Sequence, residues 1–116
     1  MPTPAVVSLY EAALPDDPRV KRKKMFGSPC AFVNRQMFFG TFEDTLVARV
    51  GPRRASGLAT EQGMQVFTPS EGKVWDDYVQ MTPDVEPELL AKLAAEALIW
   101  AEALPKRPKL PKRPKN

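Results

Sequence analysis

The sequence predicts an α+β domain built on an antiparallel sheet, and three observations predict it. Apolar residues recur at helical spacing at both ends of the chain. Between them, Lys21 to Val50 is a run of short extended segments broken by turn residues. A second helical stretch then precedes two more extended segments.

Thr3 before Pro4 reads as an N-cap with proline at the first helical position, and Val6, Val7, Tyr10, Ala13 and Leu14 follow at helical spacing, so the first helix is expected over about residues 4–14. Pro15, Asp16, Asp17 and Pro18 stop it, because proline lacks a backbone donor and disfavours helix in the residue before it. Extended segments are expected at Lys24–Phe26, Cys30–Asn34, Met37–Phe42 and Thr45–Val50, punctuated by Gly27-Ser28-Pro29, Asn34-Arg35-Gln36 and Glu43-Asp44. In the last of these, Leu46, Ala48 and Val50 point one way and Thr45, Val47 and Arg49 the other, the period of a half-buried sheet. Phe38, Phe39 and Phe42 mark the preceding strand as central.

Gly51-Pro52 opens a second helix over about residues 52–62, which carries Ala55, Leu58 and Ala59 and closes at Gly63. Strands are expected at Gln65–Thr68 and Val74–Met81 around the turn Pro69-Ser70-Glu71-Gly72, with Trp75, Tyr78, Val79 and Met81 making apolar contacts. The last helix has Pro87 near its start, Glu86 and Glu88 in its first turn, and a core stripe of Leu90, Leu93, Ala97, Trp100 and Leu104; Ile99 falls toward its polar side.

At 116 residues the chain fits one domain, and a fold of this size buries roughly two-thirds of the surface its unfolded chain exposes. The single cysteine, Cys30, has no partner for an intramolecular disulfide, and Met1 to Ser8 lack the charged and apolar regions of a signal peptide, so a reducing cytoplasm is the expected home. No apolar run approaches the roughly 20 residues that span a bilayer, and no membrane role is expected. The net charge of +3 hides a division. Residues 105–116 hold six of the 17 basic residues and no acid, whereas residues 1–104 carry 11 bases against 14 acids, a net of −3.

Lys24-Met25-Phe26-Gly27, Ala31-Phe32-Val33-Asn34, Met37-Phe38, Val66-Phe67-Thr68-Pro69, Gly72-Lys73, Tyr78-Val79 and Pro83 before an acid-opened helix resemble, in order and spacing, the TfoX N-terminal domain family. The resemblance covers about residues 5–104. It implies an antiparallel sheet of about five strands in the order α-β(3)-α-β(2)-α, with Lys24–Phe26 the start of the first hairpin. Longer members are regulators of bacterial natural competence, in which a helical domain follows; many stand-alone copies have no assigned activity, and the stand-alone form is the one expected here. The family offers no agreed catalytic or ligand residues to carry over.

The residues themselves give no sign of catalysis. Histidine, the commonest general base at neutral pH and the commonest nitrogen ligand, is absent from the chain, and one cysteine makes no thiolate zinc site. Cys30 beside Phe32 and Val33 reads as a buried strand position rather than a nucleophile. Asp16-Asp17 and Asp76-Asp77 are adjacent pairs; on a strand such neighbours point to opposite faces, so turn and surface roles are expected. Phosphate-binding glycine loops are absent, and neither a metal nor a cofactor is expected.

Two basic segments are the candidate nucleic-acid contacts. Arg19, Lys21, Lys23, Lys24 and Arg22 lead into the first strand, where the competing reading is an edge guarded by lysines. Lys106, Arg107, Lys109, Lys112, Arg113 and Lys115 lie in two near-identical hexads, Pro105–Leu110 and Pro111–Asn116. Proline at every third position favours extended polyproline II and forbids helix, so this tail is expected to be a disordered, semi-rigid arm. Such an arm suits nonspecific contact with DNA phosphates or a narrow A·T-rich minor groove. The expectation is thus a regulatory or accessory protein with no enzymatic activity, attached to DNA through its tail; the alternative is a protein-binding or chaperone-like adaptor in which the sheet face or the Ile99 region docks a partner.

Overall fold

Thr3 Oγ1 accepts the Val6 N–H at 3.3 Å and Pro4 takes the first helical position, so α1 (Pro4–Ala13) begins where its capping residues place it. The computed structural model describes residues 2–25 and 27–104. Phe26, expected to close the first strand, and the arm expected at residues 105–116 lie outside the described residues.

Four strands follow α1 as a meander: β1 (Lys21–Met25), β2 (Ser28–Val33), β3 (Gln36–Phe42) and β4 (Thr45–Arg49). Asn34 and Arg35, at φ of 50° and 65°, form the two-residue β2–β3 turn, whose twist matches that of the flanking strands. After α2 (Pro52–Glu61) come β5 (Gln65–Ser70), β6 (Lys73–Met81) and α3 (Pro87–Ala103). The sheet has six strands in the order β1-β2-β3-β4-β6-β5, every pair antiparallel, rather than about five. The difference is β1, which begins at Lys21 rather than Lys24 and pairs with β2 from Lys21 opposite Phe32 to Met25 opposite Ser28. As the outer strand it keeps one edge in water, which is where lysines are tolerated and where they oppose edge-to-edge association.

All three helices lie on one face of the sheet. Val6, Tyr10 and Ala13 of α1, Ala55 and Leu58 of α2, and Leu90, Leu93, Ala94, Ala97, Leu98 and Ala101 of α3 share a core with Ala31, Val33, Phe38, Phe39, Leu46, Ala48, Val79 and Met81 of the strands. Phe38 and Phe39 are neighbours, yet both are buried in this core. The register explains it: Ala31 faces Phe39 and Phe32 faces Met37, leaving Phe38 as the extra residue of a bulge, so the side-chain alternation slips at that point. Phe38, Phe39, Leu46, Leu90 and Leu93 are all completely covered, and each stabilises the fold by roughly 1.5–3 kcal/mol through burial.

Two residues of the expected α3 stripe depart from it, Trp100 and Leu104, the latter being the extended, half-buried C-cap beyond the helix. Trp100 is 38% exposed, because Ala94, Ala97 and Ala101 bring the helix close to the sheet along a narrower strip and leave Trp100 at its margin. There its ring covers Gly51, where a built Cβ would stand 2.9 Å from the indole. Ile99 is 67% exposed, on the polar side as expected.

Candidate functional site

β3 and β5 are separated by β4 and β6, so in a flat sheet their side chains would stand about 14 Å apart. Phe42 on β3 and Phe67 on β5 nevertheless have ring centroids 5.0 Å apart. The β5–β6 hairpin must therefore curl over the face that carries no helix. Its register shows how: Val66 faces Val79, but the next residue, Phe67, faces Trp75, a shift in register along β6. An irregularity of this kind bends the strand and sharpens its twist.

The curl builds a second, smaller apolar cluster. Phe67 meets Phe42, Trp75 at 5.4 Å and Tyr78 at 6.3 Å, and Val47, Phe67 and Tyr78 are buried with Met37 and Phe42 packed against them. Between the hairpin and the β2–β3 surface runs a groove of about 300 Å³, walled chiefly by Cys30, Met37, Phe42, Phe67, Pro69 and Trp75. Trp75 forms its lip at 37% exposure, beside Val74 at 61%. Glu43 also lines it, with exposed Asp44 next to it in sequence and Lys73, also exposed, at the hairpin tip.

A polar network joins β3, β4 and β6 beside Met37. Arg49 Nε donates to Asp77 Oδ2 at 2.5 Å and Nη1 to Gln36 Oε1 at 2.6 Å, while the guanidinium lies 5.4 Å from the Tyr78 ring centroid. Tyr78 Oη donates to the Met37 carbonyl at 2.6 Å, which pins the floor of the groove across β4. Asp77 is thus a structural carboxylate, and its carbonyl also accepts the Val50 and Gly51 N–H groups. Asp76 is exposed, so the two aspartates do not converge.

Cys30 is 2% exposed, in the strand position expected for it, with Sγ 4.0 Å from the Thr41 carbonyl. Gly40 lies against it: a built Cβ there would come within 2.8 Å of Sγ and 3.1 Å of the Cys30 Cα. Among the described residues no group of three or more acidic, cysteine or histidine side chains is placed to hold a metal ion. No helix among them is long and apolar enough to cross a membrane.

The structure divides the first basic segment instead of gathering it. Arg19 donates to both Asp17 carboxylate oxygens, at 2.9 and 2.6 Å, and also pairs with Glu102. The Arg19 hydrogen bonds hold the Asp17 carboxyl down at a pKa of about 2. Arg22 pairs with Glu11 at 3.1 Å. Cross-strand partners share a face, so Lys21 and Lys23, opposite Phe32 and Cys30, stand on the helix-free side, whereas Arg22 and Lys24, opposite Ala31 and Pro29, stand on the helix side. Lys23 Nζ lies 5.5 Å from the Phe32 ring centroid. Lys106, Arg107, Lys109, Lys112, Arg113 and Lys115 lie outside the described residues. The groove itself was not read from sequence. Apolar Val47 on the outward side of β4, with Phe42 and Phe67, is the one signal that a second buried face exists.

An antiparallel sheet with three helices on one face and a curled hairpin on the other defines an α+β domain. The chain belongs to the TfoX N-terminal domain family, whose family model matches residues 13–101. No curated protein and no solved structure matches the chain.

Proposed function

We propose that this chain is a non-enzymatic accessory or regulatory protein of the cytoplasm that works by binding, with the aromatic groove as the surface where an extended protein segment docks. One observation carries the reading: the β5–β6 hairpin is bent over the helix-free face so that Phe42, Phe67 and Trp75 form a concave apolar site with an exposed tryptophan at its lip. Aromatic anchors in a partly desolvated concavity are where binding energy concentrates. The chain's lack of histidine and the burial of its single cysteine support the non-catalytic half of the reading.

The test uses Trp75 as a reporter. In a Trp100→Phe chain Trp75 is the sole tryptophan, and a panel of twelve-residue extended peptides bearing proline or aromatic residues is titrated against its emission. Saturable shifts by some members support the reading; a panel in which none moves Trp75 refutes it.

A second reading is favoured by the six bases of residues 105–116: nonspecific or A·T-rich DNA attachment through this segment, aided by Lys21, Lys23 and Lys24. Among the described residues every core residue falls within residues 6–101, so a chain stopped at Leu104 retains that core. Log affinity for DNA in the full chain falls with log salt at about −0.9 per phosphate neutralised, and stopping at Leu104 flattens that slope. Equal slopes for the two chains would remove the segment from the interface.

A further inference from the structure

We propose that what docks in the groove is acidic: an extended segment of a partner protein that seats an apolar side chain against Phe42, Phe67 and Trp75 and lays carboxylates across Lys21 and Lys23 of β1 and Lys73 of the hairpin tip. This rests on the groove being the docking surface and adds the chemistry of its occupant.

The sequence makes one side of that surface basic. Between Pro18 and Phe42 there are six bases, Arg19, Lys21, Arg22, Lys23, Lys24 and Arg35, and no acid. Strand pairing then sorts them. Lys23 is the partner of Cys30, a wall residue of the groove, and Lys21 is the partner of Phe32, itself opposite the wall residue Met37. Cross-strand partners share a face and neighbouring strands lie about 4.8 Å apart, so both lysines stand one or two strands from the groove on its own side of the sheet. Lys73 comes from the other wall: it precedes Trp75 by two residues in β6 and so points to the same side.

The fold leaves these three charges available. Arg19, Arg22, Arg49 and Arg54 each pair with a carboxylate. Among the described residues no carboxylate pairs with Lys21, Lys23 or Lys73, and all three are exposed. Lys23 Nζ instead lies 5.5 Å from the Phe32 ring centroid, which draws the ammonium over the sheet. Glu43 is the one acid among the described residues that line the groove, and with Asp44 it lies at the Phe42 end, whereas Lys21 flanks the Met37 end.

That uneven charge, with the shape of the wall, selects the class of partner. Single-stranded nucleic acid also combines aromatic stacking with lysine contacts, but it carries a phosphate on every residue and would set some of them against Glu43 and Asp44. The rings offer it no flat platform either: Phe67 is 2% exposed and meets Phe42 and Trp75 edge-on, at 72° and 87°, which makes a slot for a side chain. A peptide confines its carboxylates to the lysine side and enters the Glu43 end with apolar groups. The apolar anchor then supplies affinity and the lysines supply choice of partner.

The experiment uses the full-length Trp100→Phe chain and three twelve-residue peptides that share a central Leu-Phe pair and differ only in four flanking residues, which are glutamate, glutamine or lysine. Trp75 emission reports binding at low and at physiological salt. At low salt the glutamate peptide should bind about tenfold more tightly than the glutamine one, as a few exposed charge pairs provide. The lysine peptide should bind least, and added salt should narrow the gap. Lys21→Gln, Lys23→Gln and Lys73→Gln together should bring the glutamate peptide to within about twofold of the glutamine one, while affinity for the glutamine peptide and the circular dichroism stay as in the parent chain. The same charge removed from the helix side, by Lys24→Gln, Arg53→Gln and Lys92→Gln, should leave the preference in place. Equal affinity for the three peptides, a glutamate preference that survives the groove-side substitutions, or an equal loss from the helix-side ones overturns the proposal while the groove stands as a docking surface. A twelve-residue oligothymidine that shifts Trp75 at lower concentration than the glutamate peptide also overturns it, in favour of single-stranded nucleic acid. If no peptide moves Trp75, the groove fails as a docking surface and its acidic occupant fails with it.

Discussion

Phe67→Ala is the substitution that best separates a real second core from a chance meeting of rings. Phe67 is 2% exposed and touches three aromatic partners, at 5.0, 5.4 and 6.3 Å. Truncating a buried phenylalanine costs about 3–5 kcal/mol. Because the site adjoins an open groove into which neighbouring side chains can relax, the lower end applies, about 3 kcal/mol. That is a large share of the roughly 5–15 kcal/mol that holds a typical domain folded. The loss should be local in origin. The helix-side core lies across the sheet and keeps every side chain, so the far-ultraviolet circular dichroism at low denaturant should be unchanged while the urea midpoint falls. Trp75 emission should move to the red as the hairpin tip loosens, and Phe67→Leu, which restores apolar volume without the ring contacts, should recover more than half of the stability. A loss under about 1 kcal/mol with unchanged Trp75 emission would refute the claim that Phe67 holds the hairpin over the sheet.

Three further substitutions test other parts of the fold. Tyr10 is 1% exposed, its hydroxyl has no hydrogen-bond partner of good geometry among the described residues, and burial pushes its pKa up to about 12, with nearby Arg22 pulling the other way. The buried neutral form is favoured by folding, so Tyr10 contributes stability below its ordinary value of 10.0 that is lost as pH rises toward 12. In urea titrations at alkaline pH, Tyr10→Phe should remove that loss, and at neutral pH it should leave stability within about 0.5 kcal/mol of the native chain, since no hydrogen bond is broken. Gly51 sits at φ +96° beneath the Trp100 ring. Gly51→Ala should therefore cost about 1–3 kcal/mol in denaturant unfolding, and a neutral result would show that the β4–α2 junction has another conformation. Asp17 should titrate near pH 2 by carboxyl-carbon NMR, and its contribution to stability, present above its ordinary 3.8, should fade as pH drops through that range; a midpoint near 4 would show that the Arg19 hydrogen bonds do not hold in solution.

Local chemistry in the sequence determined where the helices begin and end. Thr3-Pro4, Gly51-Pro52, Gly63 at φ +69° and Pro87 act through their own backbone preferences, which need no distant partner. The alternation in β4 likewise foretold that Leu46 and Ala48 face one side and Val47 the other. The division of charge between residues 1–104 and 105–116 is also a property of the sequence alone. Tertiary structure decided the rest. That β6 lies between β4 and β5, that β1 is a full edge strand, and that Phe38 bulges into the core depend on register between strands, which spacing within one strand does not encode. Trp100 fits the helical stripe by spacing, but the close approach allowed by Ala94, Ala97 and Ala101 leaves it at the margin. Arg19 and Arg22 read as free cations until the fold brings Glu102 and Glu11 to them. The groove exists only because pairing slips between Val66 and Phe67, bending a hairpin across the sheet; a slip of that kind is set by what Phe67 packs against, and two strands lie between it and Phe42.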